Sequence, residues 1–205
     1  MDVEIGYFPK HYYCDEPDAG GFFPFAIEGT TKYVFDISNI YLPKCDENWL
    51  PLWMEKLKAY PIYFCAQIPS YWKEEYVLTC KKSNIGYRNL FDTDQFSVLV
   101  TQVEGDKQFR KVIPFFISLG SGNDLVLWSM SKDVFSIEKR KWKGNWKDKI
   151  AEAVIVKIEG DTSIFWIGYD GDSIAVISNN PQFSTYEKIC RTFPEFINPT
   201  QCEYE

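Results

Sequence analysis

The sequence predicts an α+β fold: a mostly antiparallel sheet with short hairpins, and two helices. Three observations carry this. Short runs rich in β-branched and aromatic residues recur along the chain, and Gly-, Asn- and Asp-rich turns separate them. Only two segments repeat their apolar residues at helical spacing. At 205 residues the chain fits a single domain over 1–205 and should bury roughly 70% of the surface that its unfolded form exposes.

The elements follow in order. Residues 3–8 read as an edge strand, followed by the turn-rich loop with Asp15, Glu16, Asp18 and two glycines. His11 lies three residues before Cys14; that spacing suits a nucleophilic pair or, more simply, a local surface contact. Residues 22–37 read as strand, turn, strand. The first helix is expected near 47–60, capped by Asp46, with Pro51 in its first turns and Pro61 as its stop. Trp53, Met54 and Leu57 lie on one face, which points to core packing. Strands are expected at 61–68 and 73–80, with 81–94 mainly loop.

The stretch 107–130 places two apolar runs around Gly120-Ser121-Gly122-Asn123-Asp124. It predicts a three-stranded antiparallel meander at 96–103, 108–118 and 125–130. A short strand at 134–138 precedes the basic block 139–149, in which Trp142 and Trp146 are interleaved with Lys and Arg. Such interleaving suits a solvated turn with packed Trp, a protein contact or base stacking. A second meander is expected at 151–158, 163–168 and 173–178. Asp170-Gly171-Asp172 resembles a fragment of a calcium loop, but it lacks the downstream Glu and the flanking helices, so a hairpin turn is the plainer reading. Ser184 followed by Glu187 forms a capping box for the C-terminal helix near 185–196. The tail from 198 reads as loose.

The net charge of −7 repels phosphate backbones and makes nucleic acid an unlikely partner. A basic protein suits that charge better. Six Cys are spread without a CxxC pair and read as reduced thiols in a cytoplasmic setting, with a secreted disulfide framework as the alternative that their even number leaves open. No apolar stretch reaches membrane-spanning length. No P-loop or dinucleotide loop is present, and one His gives thin support to a zinc site; no metal or cofactor is expected.

Two segments, 22–37 and 112–128, share an order: apolar pair, Pro-Phe, Gly turn, apolar strand. Internal duplication of a hairpin is one reading, shared hairpin physics the other. The second segment, with Ile113-Pro114-Phe115, then Gly122-Asn123-Asp124 and Leu125-Val126-Leu127, resembles a signature of the SMI1/KNR4 (SUKH) superfamily. The closing helix near 184–196 is similar to that family's C-terminal helix. The chain departs from the pattern by lacking N-terminal helices and by placing an extra meander before the last helix. The resemblance implies an immunity protein that neutralises a toxin by binding it.

The leading expectation is therefore a non-enzymatic protein-binding protein. Its candidate contacts are Asp15, Glu16, Asp18, Asp170 and Asp172, with Trp142 and Trp146 as aromatic anchors. A hydrolase using paired Asp/Glu residues is the alternative, because such pairs leave no local signature. A viral or mobile-element accessory or structural protein is the third reading.

Overall fold

The computed structural model describes residues 1–9, 23–142 and 149–203. Four α-helices and twelve strands form there in an α+β arrangement. The large sheet holds nine strands: β1 (Asp2–Tyr7), β3 (Tyr33–Ser38), β4 (Ile62–Pro69), β5 (Gly86–Asp92), β6 (Phe96–Val103), β7 (Val126–Ser129), β10 (Ser163–Ile167), β11 (Ile174–Ser178) and β12 (Asn198–Cys202). Their order is β12-β1-β3-β11-β10-β7-β4-β6-β5. The small sheet has the order β2-β9-β8, from β2 (Ala26–Gly29), β8 (Phe135–Lys141) and β9 (Ile150–Ile158). Pairing is antiparallel except for β1 with β12 and β2 with β9. The helices are α1 (Trp49–Lys56), α2 (Ser70–Lys82), α3 (Asp106–Ser121) and α4 (Tyr186–Thr192).

Both faces of the large sheet are covered, and strand periodicity explains how. Along β4, Phe64, Ala66 and Ile68 join a core with Trp53, Phe109 and Phe116 of the helices. The alternate residues Tyr63 and Cys65 join a second core with Val154 and Val156 of the small sheet. Side chains two apart share a face, so a strand covered on both sides reads as a continuous apolar run. All five residues of β10 and all five of β11 are buried for this reason. The helical core absorbs much of the aromatic content. Phe64 stacks on Phe116 with centroids 4.1 Å apart, and Trp128 stacks on Phe165 at 5.1 Å. Buried polar tips find partners across elements: Trp53 Nε1 donates to Thr192 Oγ1 at 3.1 Å, and the Tyr76 and Thr101 hydroxyls lie 2.7 Å apart.

The strands expected at 61–68, 96–103, 125–130, 151–158, 163–168 and 173–178 are present within a few residues, as is the first helix. Several connections differ. Residues 108–118 lie in α3 instead of a strand. Its buried residues Phe109, Val112, Ile113, Phe116, Leu119 and Gly120 follow helical spacing, and that pattern outweighs their β propensity. Pro114 sits on the exposed side. No meander joins β6 to β7: β4 lies between them and pairs antiparallel with both. The segment 73–80 is helical within α2, which buries Tyr76 and Cys80 one turn apart. The expected loop at 81–94 contains β5, an edge strand whose exposed residues give no apolar alternation to read.

The second meander is divided in the same way. β10 and β11 form the expected hairpin, but β9 belongs to the small sheet. β2 and β3 also separate into different sheets. Consequently 26–38 is strand–turn–strand while 112–128 is helix–turn–strand. β1 is an inner strand, flanked by β3 and β12, and not an edge. The tail is ordered as β12: Asn198–Cys202 pairs with β1, and the Tyr186 hydroxyl donates to the Pro199 carbonyl at 2.7 Å. α4 is capped by Thr185, whose Oγ1 accepts from Lys188 N at 3.4 Å. Ser184 Oγ instead accepts from Lys188 Nζ at 2.8 Å.

Candidate functional site

α3 delivers the chain to one end of the large sheet and stops there by a Schellman motif. Asp124 N donates to Leu119 O and Asn123 N to Gly120 O, both at 3.0 Å, while Asn123 takes the left-handed conformation at φ 67°. The last turn of α3 lies directly on β10. A Cβ on Gly120 would come 2.5 Å from Ile167 Cγ2, a distance that no real Cβ contact allows. The turn is then tied to the β10–β11 connection. Asn123 Nδ2 donates to Asp170 Oδ1 at 2.9 Å, and Asp170 N donates back to Asn123 Oδ1 at 2.7 Å.

Between this end of the large sheet and the small sheet lies a recess of about 140 Å³. Asp124 and Gln67 line it from the large sheet's end, Trp166 and Tyr169 from β10 and its turn, and Trp142 and Glu152 from the small-sheet side. Phe91 and Phe96 of the β5–β6 hairpin add to the wall. Trp166 is 2% exposed and Tyr169 is 46% exposed. Their centroids are 5.2 Å apart and their planes meet at 87°, so they form two perpendicular walls. Among the described residues that line the recess there are two carboxylates and no Lys, Arg or His.

Asp124 is half-buried, and Gln67 Nε2 approaches its carboxylate at a long 3.4 Å. Burial pushes its carboxyl above the ordinary range by stripping hydration from the charged form. The Trp142 indole N–H is also buried and has no hydrogen-bond partner among the described residues.

Of the residues singled out in the sequence, Asp15, Glu16, Asp18 and Trp146 lie outside the described residues, as do His11 and Cys14. Trp142 lines the recess. Asp170 and Asp172 are exposed on the short turn that begins with Tyr169. The structure thus brings Trp142 and the 169–172 turn to one place, although 27 residues separate Trp142 from Tyr169 in the sequence. Asp124, Gln67, Glu152, Trp166 and Tyr169 were not legible as site residues. Asp124 reads as an ordinary turn residue until the preceding segment is known to be a helix.

Other surface features carry charge as well: Lys56, Lys188 and Arg191 line an open groove with no carboxylate among its described lining residues. A shallower groove of about 430 Å³ carries Arg88 and Lys132 beside Asp133, and Arg88 pairs with Asp133 at 3.7 Å. In the basic block, Arg140 pairs with Glu28 and, at 2.9 Å, with Glu138. No group of three or more His, Cys, Asp or Glu side chains converges as metal ligands would among the described residues. No helix among them is long and apolar enough to cross a membrane. Neither a protein-family model, a curated protein nor a solved structure matches this chain.

Proposed function

We propose that this chain is a non-catalytic protein-binding protein, of the immunity type that its resemblance to SMI1/KNR4 proteins implies, and that it engages a basic partner at the recess and its rim. One observation carries this reading: an aromatic-walled recess whose described lining is acidic and contains no cation. Trp142 and Tyr169 supply aromatic anchors of the kind that dominate interface energetics. Asp170 and Asp172 at the rim add to the −7 charge that steers a basic partner inward. The free thiols Cys45, Cys65, Cys80, Cys190 and Cys202 suit a reducing compartment such as the cytoplasm.

The competing reading is a hydrolase. Asp124 and Glu152 share the recess, and the Asp124 carboxyl is pushed up, as a general acid requires. Affinity capture with wild type and with Trp142→Ala/Tyr169→Ala as baits separates the two. The expected result is a basic protein retained by wild type, lost with the double variant, and bound stoichiometrically with an affinity that falls as salt rises. Capture that ignores the double variant, together with turnover abolished by Asp124→Asn, would reject binding in favour of hydrolysis.

A further inference from the structure

We propose that the outer face of α2 is a self-association surface. Two copies of this chain pair through it, with their α2 helices antiparallel about a twofold axis at Leu78. The inference goes beyond the protein-binding reading above and does not rest on it, because no residue of α2 lines the recess.

An apolar stripe on α2 is turned away from the core. The helix packs inward through Tyr76 and Cys80, both fully buried. Tyr71 and Leu78 lie seven residues apart, on the opposite side of the helix, and are 79% and 48% exposed. Tyr71 is the most exposed large apolar side chain among the described residues. Single exposed apolar residues are ordinary on a protein surface, so the stripe gains its meaning from the charges beside it.

Glu74 and Glu75 precede Leu78, and Lys81 and Lys82 follow it. All four are exposed, and none enters an ion pair among the described residues. Their order suits the dipole of the helix. Their spacing does not suit pairing within it. Intrahelical pairs need a separation of three or four residues, and those positions beyond the two Glu hold Val77, Leu78 and Thr79. A second α2 laid antiparallel across Leu78 supplies the partners. Glu74 then faces Lys81 of the second copy along one flank of the seam, and Glu75 faces its Lys82 along the other. Each pair occurs twice, as an isologous contact requires. The two Leu78 side chains meet at the axis, and each Tyr71 lies along the last turn of the facing helix. Charged flanks around an apolar seam set partner and orientation in paired helices generally.

The face is also free to receive a neighbour. Phe8 and Phe23, on either side of 10–22, and β8 and β9, on either side of 143–148, pack on the opposite face of the large sheet. β12, which precedes residue 204, is at the far edge from β5 and β6, where α2 lies.

One helix from each copy makes a small interface, under about 1,200 Å² in total, so a dissociation constant on the order of 100 µM is expected. Sedimentation equilibrium of the full chain across that concentration should show the mass rising from 24.0 kDa toward twice that value. Glu74→Lys/Glu75→Lys and Lys81→Glu/Lys82→Glu should each weaken self-association about tenfold or more. Mixed in equal amounts, the two variants should pair again as a heterodimer, because their flanks then match. That recovery is beyond a variant whose fold is damaged. If either charge variant fails to fold, Tyr71→Ser/Leu78→Ser takes its place and should weaken pairing likewise. A mass that stays at 24.0 kDa throughout would overturn the proposal. Dimers that these substitutions leave unchanged would overturn it too, because pairing would then use another surface. Folded charge variants that lose pairing and do not recover it on mixing would reject the antiparallel arrangement.

Discussion

Asp124 is held where a purely structural carboxylate gains little. It is half-buried beside a long amide contact, and its pKa lies above the ordinary 3.8 because of burial. The folded chain therefore holds that proton more tightly than the unfolded chain. Its contribution to stability is present below the unfolded pKa and is lost as pH rises through the raised value. Asp124→Asn removes this loss. Urea unfolding from pH 4 to pH 7 should show the variant gaining on wild type as pH rises, with no net destabilisation at pH 7. A variant clearly weaker at pH 7 would make the carboxylate structural. Gly120 behaves oppositely, because its role is close approach. Ile167, only 1% exposed, cannot make way for an added methyl, so Gly120→Ala should cost about 1–3 kcal/mol in the same assay. It should also disturb the recess that this turn borders.

α3 is the element on which sequence and structure differ most. Its β-branched and aromatic residues favour a strand by propensity. The helix forms because Phe109, Val112, Ile113, Phe116 and Leu119 all reach one core, and tertiary packing outweighs weak local preferences. Pro114 persists on the exposed side, where its ring displaces no packed neighbour. Its missing N–H still leaves the Arg110 carbonyl without an intrahelical donor. Pro114→Ala should therefore raise stability by about 2 kcal/mol, measured by urea midpoint. A loss would indicate that Pro114 fixes a geometry that α3 needs.

The start of α4 gives a second test at this scale. Thr185→Ala should cost about 1 kcal/mol, because its hydroxyl caps the helix. Ser184→Ala should cost less than about 0.5 kcal/mol, because its hydroxyl faces the Lys188 ammonium. Equal losses would contradict the assigned cap. Both residues are good caps by type, so the choice between them is not readable from sequence. The existence of the helix is readable, from Tyr186, Ile189 and Cys190.

Across the whole molecule, most strands were legible and their partners were not. Apolar runs such as 163–167 and 174–178 announce strands whichever sheet they enter. What assigns β9 to the small sheet and β10 to the large one is the match of inward faces, Val154 and Val156 opposite Trp166 and Ile177. That is a long-range packing choice without a local trace. The recess exists only because of it. Trp142, just past β8, and Glu152 of β9 come from the small-sheet side, and Asp124, Trp166 and Tyr169 come from the end of the large sheet. Trp142 and the 169–172 turn were legible singly, as an exposed-type aromatic and an acidic turn, while their meeting was not.

The central claim is that this meeting point is the binding face. Hydrogen exchange of the full chain, free and saturated with the captured basic partner, tests it most directly. The account predicts slowed exchange in 119–125, at Trp142 and in 168–172, with little change in β1 and β12 at the opposite edge. Protection confined to β12, β1 or the outer side of α2, with 119–125 and 168–172 unchanged, would contradict it.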